Sequence, residues 1–251
     1  CEEVNSGITT GLNEAFIIPK EISINFKLEE RVIYPTLEGR NLQKFKIEYN
    51  NKVVLYTDKN FDPEENPYSI KYLEKFKEKL SKRSEVKQKI KPWFSLGRSR
   101  GPELLDPPKI MCRETGDSIV ATFDNIGYYP MNTIICLKTK DDSENHYKAV
   151  TTLLNSKLVN KLFKIISQED GRTFAKIRPI NLRKLPMPDN FLNHENKLAS
   201  IYDLFVTSTK IQNTDEIDIY ICKIYNLDYS EMIAIIGADI SISEKEYSDL
   251  H

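Results

Sequence analysis

Alternating apolar and polar positions predict β-strands in two stretches of the chain. The first stretch covers residues 2–57, where a pair of glycines four residues apart and the dipeptide Asn50-Asn51 interrupt runs of β-forming residues. Both interruptions are typical of hairpin turns, because glycine and asparagine tolerate positive φ. The second stretch, residues 108–137, contains three short strand-like segments. The pattern therefore predicts mainly antiparallel sheets.

An apolar residue at every third or fourth position predicts helices elsewhere. From Tyr68 an apolar stripe flanked by lysines continues towards Pro92, which ends the helix. Another helical pattern covers residues 146–166 and is interrupted near Asn155, where a new helix can be capped. Beyond residue 188 the pattern predicts only helices, at 190–209, at 215–226 and behind a capping box formed by Asp228 and Glu231.

These elements predict an α+β fold of mixed, mainly antiparallel β-sheets with packed helices, followed by an all-helical C-terminal segment. We expect two units, residues 1–188 and an acidic helical tail at 189–251. The 40% hydrophobic and 29% charged residues are typical of a globular protein. No apolar run approaches the roughly 20 residues that cross a bilayer, so we expect no membrane partner. Cys112 and Cys136 lie in apolar runs, which suits reduced thiols in the core of a cytoplasmic protein.

Charge is distributed unevenly along the chain, although its total is only −1. Residues 71–100 contain eleven basic and three acidic residues beside the single tryptophan, Trp93. Residues 189–251 contain twelve acidic residues and four lysines. The central segment is suited to a polyanion and the tail would be repelled by one. The alternative is a solvated helix and a loop whose tryptophan fills the core.

Catalytic motifs are scarce. The histidines His146, His194 and His251 have no ligand partner at metal-binding spacing, and dinucleotide and P-loop glycine signatures are missing. Two carboxylates and a lysine, Asp189, Glu195 and Lys197, have the composition of a metal-dependent nuclease site. However, Glu195 and Lys197 fall on different faces of a predicted helix.

Several fragments, taken in order, resemble one known family. The first is Gly7-Ile8-x-Thr10-Gly11-x-Asn13-x-Ala15-Phe16. The later fragments are Gly39-Arg40, Leu73-x-x-Phe76-Lys77-x-x-Leu80-x-x-Arg83, Pro92-Trp93-Phe94-x-Leu96-x-Arg98, Pro108-Lys109-Ile110-x-x-Arg113, Leu154-Asn155-Ser156-x-Leu158 and Leu185-Pro186-x-Pro188. Together they resemble the target-recognition (specificity) domain of TaqI-like adenine DNA methyltransferases and fused type II restriction-modification enzymes.

The resemblance implies a domain that binds and selects double-stranded DNA while a separate domain methylates an adenine. The family's S-adenosylmethionine-binding motif is not found here, so we expect no cofactor in this fragment. S-adenosylmethionine would bind in a covalently attached methyltransferase domain upstream of Cys1. That residue is not an initiator Met, which suggests a fragment of a longer protein.

The resemblance also implies roles for particular side chains. Arg98, Arg100 and Arg113 are candidates for guanine contacts or phosphate clamps. The remaining candidate DNA-binding residues are Thr10, Asn13 and Asn155 at base edges or phosphates, Lys87, Lys89 and Lys91 at phosphates, Trp93 as a stacking residue or a buried strut, Arg40 at a predicted turn and Arg178 in a basic loop.

Two alternatives from other classes remain open at this stage. One is the metal-dependent nuclease that uses Asp189, Glu195 and Lys197. The other is a protein-interaction module in which Trp93 and the neighbouring lysines dock an acidic partner.

Overall fold

The computed structural model describes residues 3–167, 176–208, 215–237 and 242–249. The strands are β1 Glu3–Ser6, β2 Ile17–Pro19, β3 Ile33–Leu37, β4 Leu42–Gln43, β5 Lys46–Ile47, β6 Lys52–Leu55, β7 Lys109–Arg113, β8 Ala121–Asp124, β9 Tyr129–Pro130 and β10 Ile134–Lys138.

The helices before residue 110 are short, and those after residue 140 include the longest of the described chain. They are α1 Asn13–Phe16, α2 Lys20–Asn25, α3 Pro67–Leu73, α4 Lys77–Ser81, α5 Ser84–Lys87, α6 Pro102–Leu105, α7 Glu144–Asn155, α8 Lys157–Ser167, α9 Pro179–Leu182, α10 Phe191–Thr207, α11 Asp215–Ile224, α12 Tyr229–Ile236 and α13 Glu244–Ser248. Turns of 3-10 helix occupy Glu30–Val32, Gly39–Asn41 and Glu74–Phe76. No helix in the described ranges is both long and apolar enough to span a membrane.

Two four-stranded sheets form the centre of the protein. The first has the order β1-β10-β7-β8 and is antiparallel throughout. The second has the order β2-β6-β3-β9, in which β3 and β9 are parallel and the other pairs are antiparallel. A short ribbon joins β4 to β5. The predicted α+β class with mainly antiparallel sheets is therefore confirmed.

The first sheet packs against helices from the second half of the chain. Val4, Ile110 and Ile135 of this sheet share one apolar core with Leu198 of α10 and Ile221 of α11. Lys157 of α8 adds a polar contact, because its backbone N–H donates to Asp218 Oδ1 of α11 at 2.8 Å. The C-terminal helices thus extend the core of the sheet, and a unit boundary at residue 188 remains a prediction.

Both predicted hairpins are wrong, because the strands pair with other strands than the ones predicted. The strand around Val4 pairs with Leu137, 133 positions later, and the chain after Gly11 forms the short helix α1. Asn51 does adopt positive φ (56°), but the strand that follows it pairs with β2 and β3. Local alternation identifies strands without identifying their partners, because hydrogen-bond partners are set by the whole fold.

The helix predicted from Tyr68 towards Pro92 is also divided. It comprises α3, a 3-10 turn, α4 and α5, and Lys89 behind it has positive φ (57°). The interruption near Asn155, the helix at 190–209 and the capping box of Asp228 with Glu231 are confirmed. The sequence also predicts a basic loop at 171–179 and a cap at 213–214 for the helix at 215–226, but residues 171–175 and 213–214 lie outside the described residues.

Candidate nucleic-acid interface

Two loops that are about 90 residues apart in sequence pair through their backbones. Thr9 N donates to Arg98 O at 3.0 Å, and Arg98 N donates to Thr9 O at 2.8 Å. Gly97 N donates to Thr10 O at 3.1 Å. A Cβ on Gly97 would lie 3.2 Å from Thr9 O and 3.3 Å from Gly11 N, so a larger residue would push the loops apart. The motif around Thr10 and the basic loop therefore form one surface.

A turn at residues 131–133 lies beside the first of these loops. Asn132 N donates to Ile8 O at 2.7 Å, and Met131 N donates to Leu37 O at 2.8 Å. Gly39 N donates to Thr133 Oγ1 at 2.9 Å. Residues 6–13, 38–41, 91–101 and 131–133 are named the loop cluster below.

Arg98 and Arg100 are anchored to backbone rather than to carboxylates. Arg100 Nε donates to Ser6 O at 2.8 Å, and Arg98 Nη2 lies 3.5 Å from Gly7 O. Within the described residues neither guanidinium forms an ion pair. Burial lowers the pKa of Arg100 and the nearby charge of Arg98 lowers it further, yet an arginine remains protonated at neutral pH. Each guanidinium has five N–H donors, so most donors remain available for an anion.

Arg83 holds the loop cluster together from inside. Its Nη2 donates to Trp93 O at 2.8 Å, its Nη1 to Thr10 O at 3.3 Å and its Nε to Leu80 O at 3.1 Å. Burial lowers the pKa of this half-buried guanidinium. Arg83 belongs to the family-like sequence fragments, but its role here is to position the backbone of two loops.

Several predicted contact residues also have internal partners. Lys91 Nζ donates to Gly97 O and, at 3.4 Å, to Leu96 O, so Lys91 closes its own loop. Thr10 is only 2% exposed and its hydroxyl donates to Asn13 Oδ1 at 2.5 Å. The Thr10 side chain therefore positions the exposed Asn13, and direct base contact by Thr10 is contradicted by its burial.

Asn155 is likewise in a structural position, contrary to the sequence-based expectation. It is 5% exposed, its Nδ2 donates to Ala121 O at 2.9 Å, and its Oδ1 accepts from Ala121 N at 2.9 Å. This reciprocal pair imitates a strand partner for β8 and leaves the amide no access to a base. We therefore correct Asn155 from a DNA contact to a residue that completes the sheet.

Arg40 belongs to the loop cluster, and Arg113 lies beside it. Arg113 Nε donates to Leu42 O at 2.8 Å, and this half-buried residue pairs in the sheet with Ile134, directly after the 131–133 turn. Arg40 is exposed and forms an ion pair of 2.5 Å with Glu38. Exposed pairs of this kind contribute little energy, so an anion could compete for Arg40.

Some lysines of the basic segment are paired with a carboxylate and others are not. Lys79 pairs with Glu14 at 2.6 Å, and Lys82 pairs with Glu78 at 2.7 Å. Lys87 and Lys89 are exposed, and neither forms an ion pair within the described ranges. These two lysines therefore directly precede the 91–101 loop in sequence, and no carboxylate of the described residues pairs with them.

Trp93 and Arg178 complete the predicted set. Trp93 is partly buried against the core of the second sheet, meets Phe94 edge to face at 5.7 Å, and has Lys77 Nζ 5.1 Å from its ring centroid. This packing favours the strut over a stacking role for Trp93. Arg178 is exposed at the start of α9, next to Ile177, whose N–H donates to Glu114 O.

Asn132 was missed by the sequence analysis. It is exposed at the 131–133 turn, and the bond from its backbone N–H to Ile8 O fixes it within the loop cluster. An asparagine amide can pair with an adenine edge through two hydrogen bonds. Nothing local marks this position, because the turn reaches the cluster only through bonds to residues far away in sequence.

The nuclease constellation is not assembled in the part of the chain that the structure describes. Lys197 Nζ lies 3.9 Å from the Tyr220 ring centroid, whereas Glu195 faces His146 at 3.0 Å. Among the described residues Glu195 belongs to a group with Asp141 and His146 that does not include Asp189.

The fold and the loop cluster define an α+β domain that presents arginines on paired loops rather than in a catalytic cleft. A model of the TaqI-like C-terminal specificity domain matches residues 34–187, and the chain belongs to this family. The search of curated proteins gave no significant match.

Among solved structures, the Type IIL restriction-modification enzyme MmeI in complex with DNA has a similar fold. The TM-score is 0.62 with 12% sequence identity, and the match covers 98% of this chain and 35% of the MmeI chain. The present chain thus spans about a third of that enzyme's length. At this level of identity the similarity concerns the fold alone.

Proposed function

We propose that this chain is the target-recognition domain of a restriction-modification enzyme and binds double-stranded DNA in a sequence-specific manner. The observation that carries the proposal is the pairing of the Thr9–Thr10 segment with the basic loop. This pairing holds Arg98 and Arg100 side by side without a carboxylate partner in the described chain. Family membership and the fold shared with MmeI support the same conclusion.

We further propose that the parent enzyme is an adenine-N6 DNA methyltransferase and acts in the cytoplasm. In this proposal S-adenosylmethionine binds in a covalently attached methyltransferase domain, and the present chain selects the site without catalysing a reaction. The basis is the family-like sequence fragments and the lack of an S-adenosylmethionine-binding glycine motif within these 251 residues.

Selection from a pool of random duplexes tests the binding proposal. We expect one short sequence to be enriched, with an affinity for it at least about 10³-fold above that for unrelated duplex. The logarithm of the affinity should fall with the logarithm of the salt concentration by about 0.9 for each phosphate neutralised. Enrichment of no sequence, or binding without a salt dependence, would contradict the proposal.

A matched pair of variants locates the surface. Arg98→Ala changes an exposed arginine of the loop cluster, and Lys164→Ala changes an exposed lysine of α8. We expect the first variant to lose about 1–3 kcal/mol of binding free energy for the selected site, and the second to retain the affinity of the parent chain. Equal losses of binding free energy in both variants would indicate that DNA binds at a surface other than the loop cluster.

A further inference from the structure

Three potential metal ligands from two distant parts of the chain meet beside the first sheet. They are Asp141, in the loop before α7, His146 in the first turn of α7, and Glu195 in the first half of α10. One ligand atom from each lies within 4.8 Å of the other two. The sequence analysis found no ligand partner for His146, because 49 residues separate it from Glu195 and the fold alone brings them together.

The distances suit a bound divalent ion. His146 Nδ1 lies 3.0 Å from Glu195 Oε2 and 3.9 Å from Asp141 Oδ2. Two tetrahedral ligands at normal zinc distances are about 3.4 Å apart, which falls between these two values. Each distance from His146 Nδ1 therefore differs from this spacing by about half an ångström or less.

The ligands are held by neighbouring groups. The other oxygen of Asp141, Oδ1, accepts from Ser143 N at 2.8 Å, so Oδ2 is the oxygen directed towards His146. The His146 ring meets Phe191 edge to face at 5.3 Å. Beside the cluster, Asn145 Nδ2 donates to Asn196 Oδ1 at 3.1 Å and ties α7 to α10. Such supporting contacts orient the ligands in established metal sites.

The charge balance also favours a cation. The side chains of His146 and Glu195 are only 16% and 15% exposed. Within the described residues neither Asp141 nor Glu195 forms an ion pair with a lysine or an arginine. Two carboxylates with one neutral imidazole carry a charge that one divalent ion neutralises. An imidazole nitrogen selects borderline transition ions over Mg²⁺ and Ca²⁺, which prefer oxygen ligands.

We propose that Asp141, His146 and Glu195 bind one Zn²⁺-like transition-metal ion, which clamps α10 to the start of α7. The fourth position would be filled by water. This site is independent of the loop cluster, and its role is to fasten α10 to α7, which packs against β8 of the first sheet. Binding would require His146 Nδ1 without its proton, so the proton stays on Nε2.

Calorimetric titration of the tag-free chain with Zn²⁺ tests the proposal. We expect one ion per chain, and a rise in melting temperature because the assembled site exists only in the folded state. Glu195→Gln and His146→Asn should each weaken binding at least about tenfold. The control is His194→Asn, because His194 lies next to Glu195 in sequence but bonds to Tyr220 OH at 2.6 Å. This variant should bind Zn²⁺ like the parent chain.

X-ray absorption at the zinc edge should show one nitrogen and at least two oxygen neighbours at about 2.0–2.2 Å. If Glu195→Gln does not fold, Asp141→Asn provides the decisive variant, because the Asp141 side chain is 52% exposed. Lack of saturable Zn²⁺ binding, or binding that survives these ligand substitutions, would overturn the proposal. The contact between His146 and Glu195 would then be an internal polar contact without a metal. Neither outcome bears on DNA binding.

Discussion

Lys109 Nζ lies 2.7 Å from Asp124 Oδ2, and both side chains are completely buried. Lys109 also donates to Leu105 O at 2.6 Å, at the end of the helix that follows the basic loop. The Asp124 carboxylate in addition accepts from three backbone N–H groups, those of Ile126, Gly127 and Tyr128. Lys109 belongs to the family-like sequence fragments but has an internal role. It joins the segment that follows the 91–101 loop to the turn that precedes residues 131–133.

Removing the cation of this pair should destabilise the fold strongly. Lys109→Met leaves the Asp124 carboxylate buried without a counter-charge, and we expect a loss of about 3–5 kcal/mol in the free energy of unfolding. Adding Asp124→Asn should recover part of this loss, because an amide oxygen still accepts from the turn and no charge remains. Urea denaturation of the single and double variants measures both effects.

The exposed pair Lys82–Glu78 is a matched control, since its N···O distance is also 2.7 Å. Lys82→Met should leave the free energy of unfolding almost unchanged, because exposed ion pairs contribute little to stability. Similar losses for Lys109→Met and Lys82→Met would show that burial of the Lys109 pair has no energetic importance.

Asn155 and Asn132 should respond in opposite ways to substitution by alanine. Asn155→Ala leaves the buried N–H of Ala121 without a partner, and we expect about 1–3 kcal/mol of destabilisation with an unchanged order of preference among DNA sites. Asn132→Ala should unfold like the parent chain but relax the DNA preference at one position. Thermal melts and duplex selection separate the two effects. A change in site preference for Asn155→Ala would contradict the assigned structural role.

The contrast between Asn155 and Asn132 shows which structural features can be predicted from the sequence. Features determined by neighbouring residues were predicted well, such as the Asp228 capping box and the break after Asn155. Partners determined by distant residues were not, since Val4 pairs with Leu137 rather than with a local strand. The fragments of the family pattern mark the important segments, but burial decides whether a residue such as Thr10 supports the surface or forms it.

Asp218 predicts a pH dependence of stability. It is 3% exposed, and burial raises its carboxyl pKa, an effect that the N–H and the charge of Lys157 only partly offset. A raised pKa in the folded state means that protonated Asp218 stabilises the fold. This contribution is fully present below the unfolded pKa of about 3.9 and is lost as the pH rises through the folded pKa.

Asp218→Asn removes this titration while keeping an oxygen that can accept from Lys157 N. The stability of the parent chain relative to this variant should therefore fall as the pH rises from about 3 towards neutrality. Asp228 provides the opposite sign, because its bond from Glu231 N lowers its pKa. The parent chain should gain stability relative to Asp228→Asn over the same range. Urea denaturation at several pH values measures both stability differences. If the two differences changed with pH in the same direction, the assignment would be contradicted.

Arg98 and Lys89 should affect DNA binding differently. Arg98 is fixed in the loop cluster by two backbone hydrogen bonds to Thr9, whereas Lys89 is exposed beyond α5 with no ion pair in the described chain. We expect Arg98→Ala to lose about 1–3 kcal/mol and to relax the preference at one base pair. Lys89→Ala should weaken binding to all sequences alike and reduce the salt slope by about 1.

The two variants are compared on one library of duplexes at several salt concentrations, so that each affinity has its own slope. Because a bidentate arginine reads one base pair, the loss for Arg98→Ala should depend on the base at a single position. The loss for Lys89→Ala should be uniform, because phosphates are the same in every sequence. If both variants gave uniform losses, Arg98 would be a phosphate contact and base reading would belong to other residues of the loop cluster, with Asn132 and Arg100 the first to examine.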